Sequence, residues 1–372
     1  MRKQQPHLRI HGHLLASTLP HPSWSVNNSK WASRGWTYQE NILSKRRIIF
    51  TDDQVLFECN SIHYAESQIL PLDVLHNKDK RMFKSYVTNG AFEWKTPRSN
   101  PEDIIHFLAD FSKRELSYPA DAINAFQGIF QMFSKTEFPV YHIEGVPILS
   151  ATSGTFVPED SFIKGLSWYH AIPGKRRPEF PSWSWAGWTG QLEDEFMCSA
   201  ACPVSIPLRL ETEDGVIEKF PKWDHWLEFL SKKTTSNVKI LHIKGWTLRC
   251  ALVHHKNELG ETGRDAYRSS VPHDGYFLKF EIWKNKSVYF DPKWDSDVSQ
   301  LDGKSLECIC LSTSLLTVLV VNKNMSGLSE RVGCCTLGYG YVQAGREWVG
   351  PRKTPHWKML KRKLERQTIR LG

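Results

Sequence analysis

The stretch Ser33-Arg34-Gly35-Trp36-Thr37-Tyr38-Gln39-Glu40-Asn41-Ile42-Leu43-Ser44, followed by Arg46-Arg47-Ile48-Ile49-Phe50, Thr51-Asp52-Asp53 and Gln54-Val55-Leu56-Phe57-Glu58-Cys59, changes its period within a few residues. Trp36, Gln39, Glu40 and Leu43 recur at i, i+3, i+4 and i+7, which predicts a short helix that carries them on one side and ends near Ser44. Arg46 to Phe50 and Gln54 to Cys59 are strand-like, and Thr51-Asp52-Asp53 has the composition and length of a hairpin loop. Helix and hairpin in one segment point to a mixed, α+β class.

Before this stretch, residues 1–30 are rich in His, Pro, Ser and Asn and keep no period, so they read as an irregular lead-in. After it, residues 61–100 give no pattern until Asn100-Pro101-Glu102-Asp103 offers an N-cap, an early proline and acidic first-turn residues. Ile104, Phe107, Leu108 and Phe111 then follow at helical spacing. A second helix is expected after Tyr118-Pro119, with Ala122, Ala125, Phe126, Ile129 and Phe133 on its apolar side, packed on the first as a hairpin. Gly, Pro and aromatic residues dominate up to Gly190. Beyond, Val238 to Leu252, Tyr276 to Trp283, Leu306 to Val321 and Val332 to Val342 read as strands. The expected division is a lead-in (1–30), a helix-hairpin segment (31–60), a helical and aromatic-rich middle (61–190) and a β-rich end (191–372) that closes in a basic amphipathic helix.

A chain of 372 residues with 40% hydrophobic and 24% charged residues can bury a sizeable core, and 15 tryptophans predict an aromatic-heavy one. The net charge of +8 is localised: between Gly345 and Gly372 stand nine Lys or Arg against two Glu, so the preceding residues are close to neutral. A general polyanion-binding bias is therefore not expected, and nucleic acid is not the favoured partner. Eight cysteines, with Cys334 and Cys335 adjacent, make a poor disulfide framework and fit reduced thiols in a cytoplasmic protein. His11, Gly12 and His13 break the only early apolar stretch, which makes a poor signal peptide. The best apolar window, Leu306 to Val321, contains Glu307 and Ser312-Thr313-Ser314, so no membrane span is expected.

Three segments together resemble the fungal heterokaryon-incompatibility (HET) domain family and the region that follows it. The first is Trp31 to Glu40, with Arg34, Gly35, Trp36, Gln39 and Glu40, running on to Phe57-Glu58-Cys59; it is similar to the motif that closes the HET domain. The second is Tyr118 to Ile129, with Asp121 and Asn124. The third joins Leu166-Ser167-Trp168 to Phe180-Pro181-Ser182-Trp183-Ser184-Trp185-Ala186-Gly187-Trp188, with Trp183, Trp185, Gly187 and Trp188 as its motif residues. Ile369 to Gly372 resembles the family's end more weakly. The family's opening strand and its aspartate, cysteine and glutamine motif have no counterpart before Trp31. The resemblance therefore implies the rear part of an α/β domain similar to Toll/interleukin-receptor (TIR) domains, and a role in non-self recognition and regulated cell death exercised with a protein partner, without catalysis by this chain alone.

Glu40 carries the sharpest chemical reading. Some TIR domains cleave the nicotinamide bond of NAD with a glutamate four residues after a tryptophan, the spacing of Trp36 and Glu40 here. On a helix that spacing sets indole and carboxylate side by side, and the carboxylate would stabilise an oxocarbenium-like transition state with Trp36 as pocket wall. NAD would then be a substrate, given a completed domain; no resident cofactor is expected. The plainer reading is a helix-end glutamate paired with Arg34, Arg46 or Arg47.

Trp183 and Trp185 alternate with small residues as on a strand, which suits either a stacking platform served by Arg176 and Arg177 or, more simply, an aromatic core. Ser182 and Ser184 lack the frame of a nucleophile elbow. Cys308 with Cys310, Cys334 with Cys335, Cys198 with Cys202, and His254 with His255 lack metal-ligand spacing, so no metal is expected. The basic end, Arg352 to Arg370, places Trp357, Leu360 and Leu364 on one helical side. It reads as a docked amphipathic helix, with a nucleic-acid or membrane-surface helix as the alternative.

Overall fold

A computed structural model of the chain describes residues 5–17, 19–59, 63–66, 100–152, 156–194, 206–222, 225–231, 237–256, 272–283, 286–312, 317–337, 339–344, 347–353 and 363–372. The chain divides into two compact units: Met1–Thr96 with Arg114–Ser117 and Asn124–Ile129 form unit 1, and Pro97–Lys113, Tyr118–Ile123 and Phe130–Gly372 form unit 2.

Unit 1 begins with structure where an irregular lead-in is expected. Strands β1 (His7–Ile10) and β2 (His13–Ala16) pair antiparallel about His11 and Gly12, whose φ values of 46° and 81° make the two-residue turn that suits strand twist. Two short helices follow, α1 (Pro22–Asn27) and α2 (Lys30–Ser33); Ser29 caps α2 by accepting from the Ala32 N–H. Short elements held by turns and caps carry no hydrophobic period, which is why composition alone hid them.

Helix α3 (Gly35–Leu43) ends at Ser44 as expected, but its orientation is the reverse of the one its apolar period suggests. Gly35, Thr37, Tyr38 and Asn41 are buried, while Trp36, Glu40 and Leu43 are exposed. Two of the buried side chains are polar and hydrogen-bonded: Thr37 donates to the Trp31 and Arg34 carbonyls, and the Asn41 side chain accepts from Arg47. Hydrogen bonds set this face, and hydrophobic periodicity does not register them. The hairpin β3 (Arg46–Phe50) and β4 (Val55–Cys59) forms as expected, with Ile48 opposite Phe57 and Phe50 opposite Val55, and β5 (His63–Ala65) adds a third strand. One side of this sheet, Ile49, Leu56 and Ala65, packs with Val26.

In unit 2 the helix Asp103–Ser112 starts behind Asn100, whose side chain accepts from the Glu102 N–H. Phe107 meets Phe133 edge to face at 5.3 Å, which joins it to the end of the helix Asn124–Phe133; Ala122, Ala125, Phe126, Ile129 and Phe133 are all buried, as their spacing predicts. A tight hairpin, β6 (Val140–Ile143) and β7 (Val146–Leu149), and the helix Pro158–Gly165 come next.

The large sheet comprises β8 (Leu208–Thr212), β9 (Ile217–Lys219), β10 (Val238–His255), β11 (Gly275–Trp283), β12 (Lys286–Phe290), β13 (Lys293–Trp294), β14 (Ser305–Cys310), β15 (Thr317–Lys323), β16 (Leu328–Thr336), β17 (Tyr339–Ala344), β18 (Glu347–Lys353) and β19 (Glu365–Leu371). Strand β10 organises it by using each edge twice: β8 and then β14 on one, β19 and then β11 on the other. Because β19 also meets β16 in parallel, β10, β14, β15, β16 and β19 close a hydrogen-bonded ring. Ile309, Leu319, Val321, Ile369 and Leu371 pack on Phe162 and Trp183 from one side, and Cys308, Val318 and Val320 pack with Val288 and Phe290 on the other. Covered on both faces, β14 and β15 read as nearly unbroken apolar runs.

The basic end departs from its expectation. Glu365–Leu371 is a strand, not a helix, because Ile369 and Leu371 alternate with Arg366, Thr368 and Arg370 and find open edges on β10 and β16. Trp357 and Leu360 lie outside the described residues. Among the described residues, no helix is long and apolar enough to cross a membrane.

Candidate functional site

Helix α3 is positioned by backbone pairing. The Gly35 N–H donates to the Glu115 carbonyl and Glu115 donates back to Ser33, each at 2.7 Å. A Cβ on Gly35 would sit 2.5 Å from the Leu116 side chain, which would have to shift to admit it, and 3.4 Å from the Glu115 carbonyl. Tyr38 stacks on Phe126 and takes the Arg114 guanidinium 4.6 Å above its ring. Gln39 accepts from the Gly128 N–H at 3.0 Å, so the first and second motif segments meet through their own residues.

Trp36 and Glu40 do share one helical face, and that face is open: Trp36 is 37% exposed and Glu40 is exposed. The Glu40 carboxylate forms no ion pair or hydrogen bond with a described residue. Of Arg34, Arg46 and Arg47, the three arginines expected as its partner, Arg47 instead faces Glu58 at 3.4 Å and Asn41. Asp121 is half-buried in the short 3-10 turn Pro119–Asp121, and Asn124 is exposed at the first turn of its helix.

The third motif segment builds a knot, not the expected strand. Pro181 to Trp188 is a run of turns ending in the 3-10 turn Trp185–Gly187, capped by Ser184, whose hydroxyl accepts from the Ala186 N–H. Trp168, Trp183, Trp185 and Trp188 are buried, and each indole N–H donates to a carbonyl, those of Trp183, Lys239, Gly145 and Ser182 in turn. Large rings stay dry here because irregular backbone presents acceptors that a regular strand would use in its ladder. A Cβ on Gly187 would come 2.5 Å from the Pro181 carbonyl. Arg176 and Arg177 do not wait for phosphate: Arg177 donates to the Trp188 carbonyl at 2.6 Å, and Arg176 to that of Gly187 while pairing with Glu330 at 3.0 Å. The stacking platform is thus an aromatic core.

Beneath the knot lies a buried charged network that no sequence motif announced. Arg331 is fully buried; its Nε donates to Asp295 Oδ2 at 2.7 Å, its other nitrogens donate to the Leu166 and Trp168 carbonyls, and its guanidinium lies 3.3 Å over the Trp168 ring. His170 Nδ1 stands 3.2 Å from Asp295 Oδ1, and its Nε2 is buried without a partner. A carboxylate orienting an imidazole is half of a nucleophilic triad, but the nearby hydroxyls are engaged: Ser182 donates to an oxygen of Gly372, and Ser184 to the Glu144 carbonyl. Arg331 and Asp295 are both fully buried, and the network orders this part of the core. No advance signal stood in the sequence, since Arg331 follows the polar Ser329 and Glu330 in its strand.

Two further titratable groups flank the knot. Burial pushes the Glu144 carboxyl up to about 7, despite Lys239 nearby and a hydrogen bond from the Val238 N–H, and burial holds His142 down to about 4. Four buried thiols are held protonated: burial raises Cys310 to about 12 and Cys334 to about 11, and Cys308 and Cys335 are raised as well. Cys198 and Cys202 lie outside the described residues, among which no group of three or more His, Cys, Asp or Glu is arranged for a metal ion. No protein-family model matches this chain, and no curated protein or solved structure matches it significantly.

Proposed function

We propose that this chain is a HET-family interaction protein of fungal non-self recognition and regulated cell death, with a TIR-like origin for residues 31–60, acting through a protein partner that docks on unit 1. One observation carries the proposal: among the described residues, the sheet β3–β4–β5 is packed on one side only. On the other, Ile48, Phe57 and Tyr64 form a row across three strands beside Phe50 and Val55, and Phe50 is 78% and Ile48 62% exposed. Apolar rows of this kind mark interaction sites, since covering such a side chain returns about 1.5–3 kcal/mol. Glu40 supports binding over turnover, because a catalytic carboxylate is held in place and this one is held by nothing described. The motif segments through Trp36, Gln39, Asp121, Trp183 and Trp188 support the family, and the free cysteines support a cytoplasmic site of action.

The test is inducible expression in a filamentous fungus of the chain, of Glu40→Ala, and of Ile48→Asp with Phe50→Asp, reading growth arrest and cellular NAD. Arrest by the parent and by Glu40→Ala, its loss in the sheet variant at equal protein level, and steady NAD are expected. Absence of arrest with the parent rejects the cell-death role. Falling NAD, with both effects abolished by Glu40→Ala, replaces the binding mode by NAD cleavage.

A further inference from the structure

Pairing of β19 with β10 does more than close the ring; it moves the cations of the basic end beside those of the neutral part. On the outer face of this region, Trp246 lies opposite Arg366, Lys244 opposite Thr368, and His242 opposite Arg370. On the other edge of β10, His242 lies opposite Arg209, which in turn lies opposite Lys219. The row Lys219, Arg209, His242, Arg370 therefore crosses four adjacent strands, a span of roughly 14 Å at the usual strand spacing. Glu211 neutralises Arg370 at 3.2 Å and faces His242 Nε2 at 2.5 Å. Arg209, Lys219, Lys244 and Arg366 are exposed and form no ion pair with a described residue. Within them stands Trp246, 37% exposed.

We propose that this outer face of β9–β8–β10–β19 binds single-stranded nucleic acid, with Trp246 stacking on a base and Lys244, Arg366, Arg209 and Lys219 holding the phosphates. Charge complementarity selects a polyanion, and the indole among the cations selects one whose units have a flat apolar face. Lys244 lies two residues from Trp246 on the same strand, about 7 Å away, and Arg366 lies directly across at about 5 Å, so a base on the indole leaves its flanking phosphates within reach of both. A duplex offers no unstacked base to the indole, and an acidic peptide offers no flat ring. The site lies wholly in unit 2 and is independent of the docking face of unit 1.

Fluorescence anisotropy of the full chain with a labelled oligothymidylate of about 20 nucleotides tests this directly. Saturable binding is expected, with a logarithmic salt dependence that flattens by about 1.4 when Lys244→Glu and Arg366→Glu remove two phosphate contacts. Trp246→Ala is expected to weaken binding about tenfold or more, and Trp246→Phe to restore most of it. Lys244→Gln with Arg366→Gln serves if the charge reversal unfolds the chain, and is expected to flatten the slope equally. Lys304→Glu, an exposed reversal elsewhere, is expected to leave affinity unchanged. No binding at low salt, equal loss with Lys304→Glu, equal affinity for duplex of the same length, or equal competition by polyglutamate would each overturn the assignment.

Discussion

Tryptophans meet opposite fates in two regions, the short helices of unit 1 and the knot of unit 2. In the first, Trp24, Trp31 and Trp36 are exposed; in the second, Trp168, Trp183, Trp185 and Trp188 are buried. The buried four share one feature, a carbonyl placed for each indole N–H, three of them in turns and that of Lys239 at the irregular start of β10. In the knot, irregular backbone thus supplies the acceptors that let an aromatic-rich segment become a core.

The contrast is broken most severely at Arg331. Arg331→Ala leaves Asp295 as an uncompensated buried charge, and a loss of about 3–5 kcal/mol in urea unfolding is expected. A loss below about 1 kcal/mol would mean that the network does not order the knot.

Glu144→Gln sharpens the comparison through pH. The folded carboxyl titrates at about 7 against an ordinary 4.5, so its contribution is complete below about 4.5 and lost as pH rises towards 7. His142 works in the opposite sense: at about 4 against 6.5, its contribution is complete above 6.5 and lost as pH falls towards 4. In the parent the two offset each other across the overlap. The glutamine variant is expected to show stability rising from pH 4 to 6.5 and then flat, with a relative gain of about 2–3 kcal/mol at pH 8, read from denaturation midpoints. A parent-like profile would remove Glu144 from the account.

Gly187→Ala is expected to cost about 1–3 kcal/mol, since its methyl would press on the Pro181 carbonyl, a backbone atom that cannot step aside. Calorimetric melting decides it. The smallest effects belong to unit 1: Glu40→Ala and Phe50→Ser are each expected within about 0.5 kcal/mol of the parent in the same measurement. A large loss at Phe50 would show that its face is covered in solution.

Much of the secondary structure was legible where period and burial coincide. The buried apolar side from Ala122 to Phe133, the β3–β4 hairpin and the long β10 run announce themselves because one face of each is apolar. The orientation of α3 was not legible, because Thr37 and Asn41 are buried through hydrogen bonds to Trp31, Arg34 and Arg47 and leave no apolar stripe. Nor was the network of His170, Asp295 and Arg331, since its partners lie far apart in sequence and no spacing rule links them. The basic end carried both signals in its sequence, a helical stripe through Leu360 and Leu364 and then, over Glu365 to Leu371, an alternation through Ile369 and Leu371. Two open strand edges decided for the alternation.

By itself the sequence determined the α+β class, the main strand runs, the hairpin loop and the closeness of Trp36 to Glu40 along one helix, because all of these are local and fixed by period. Tertiary structure alone decided that Glu40 looks outward, that the tryptophans of the third motif are sealed, and that the basic end lies against β10. Each of these depends on which polar groups find partners across long sequence separations, and no local pattern encodes that pairing.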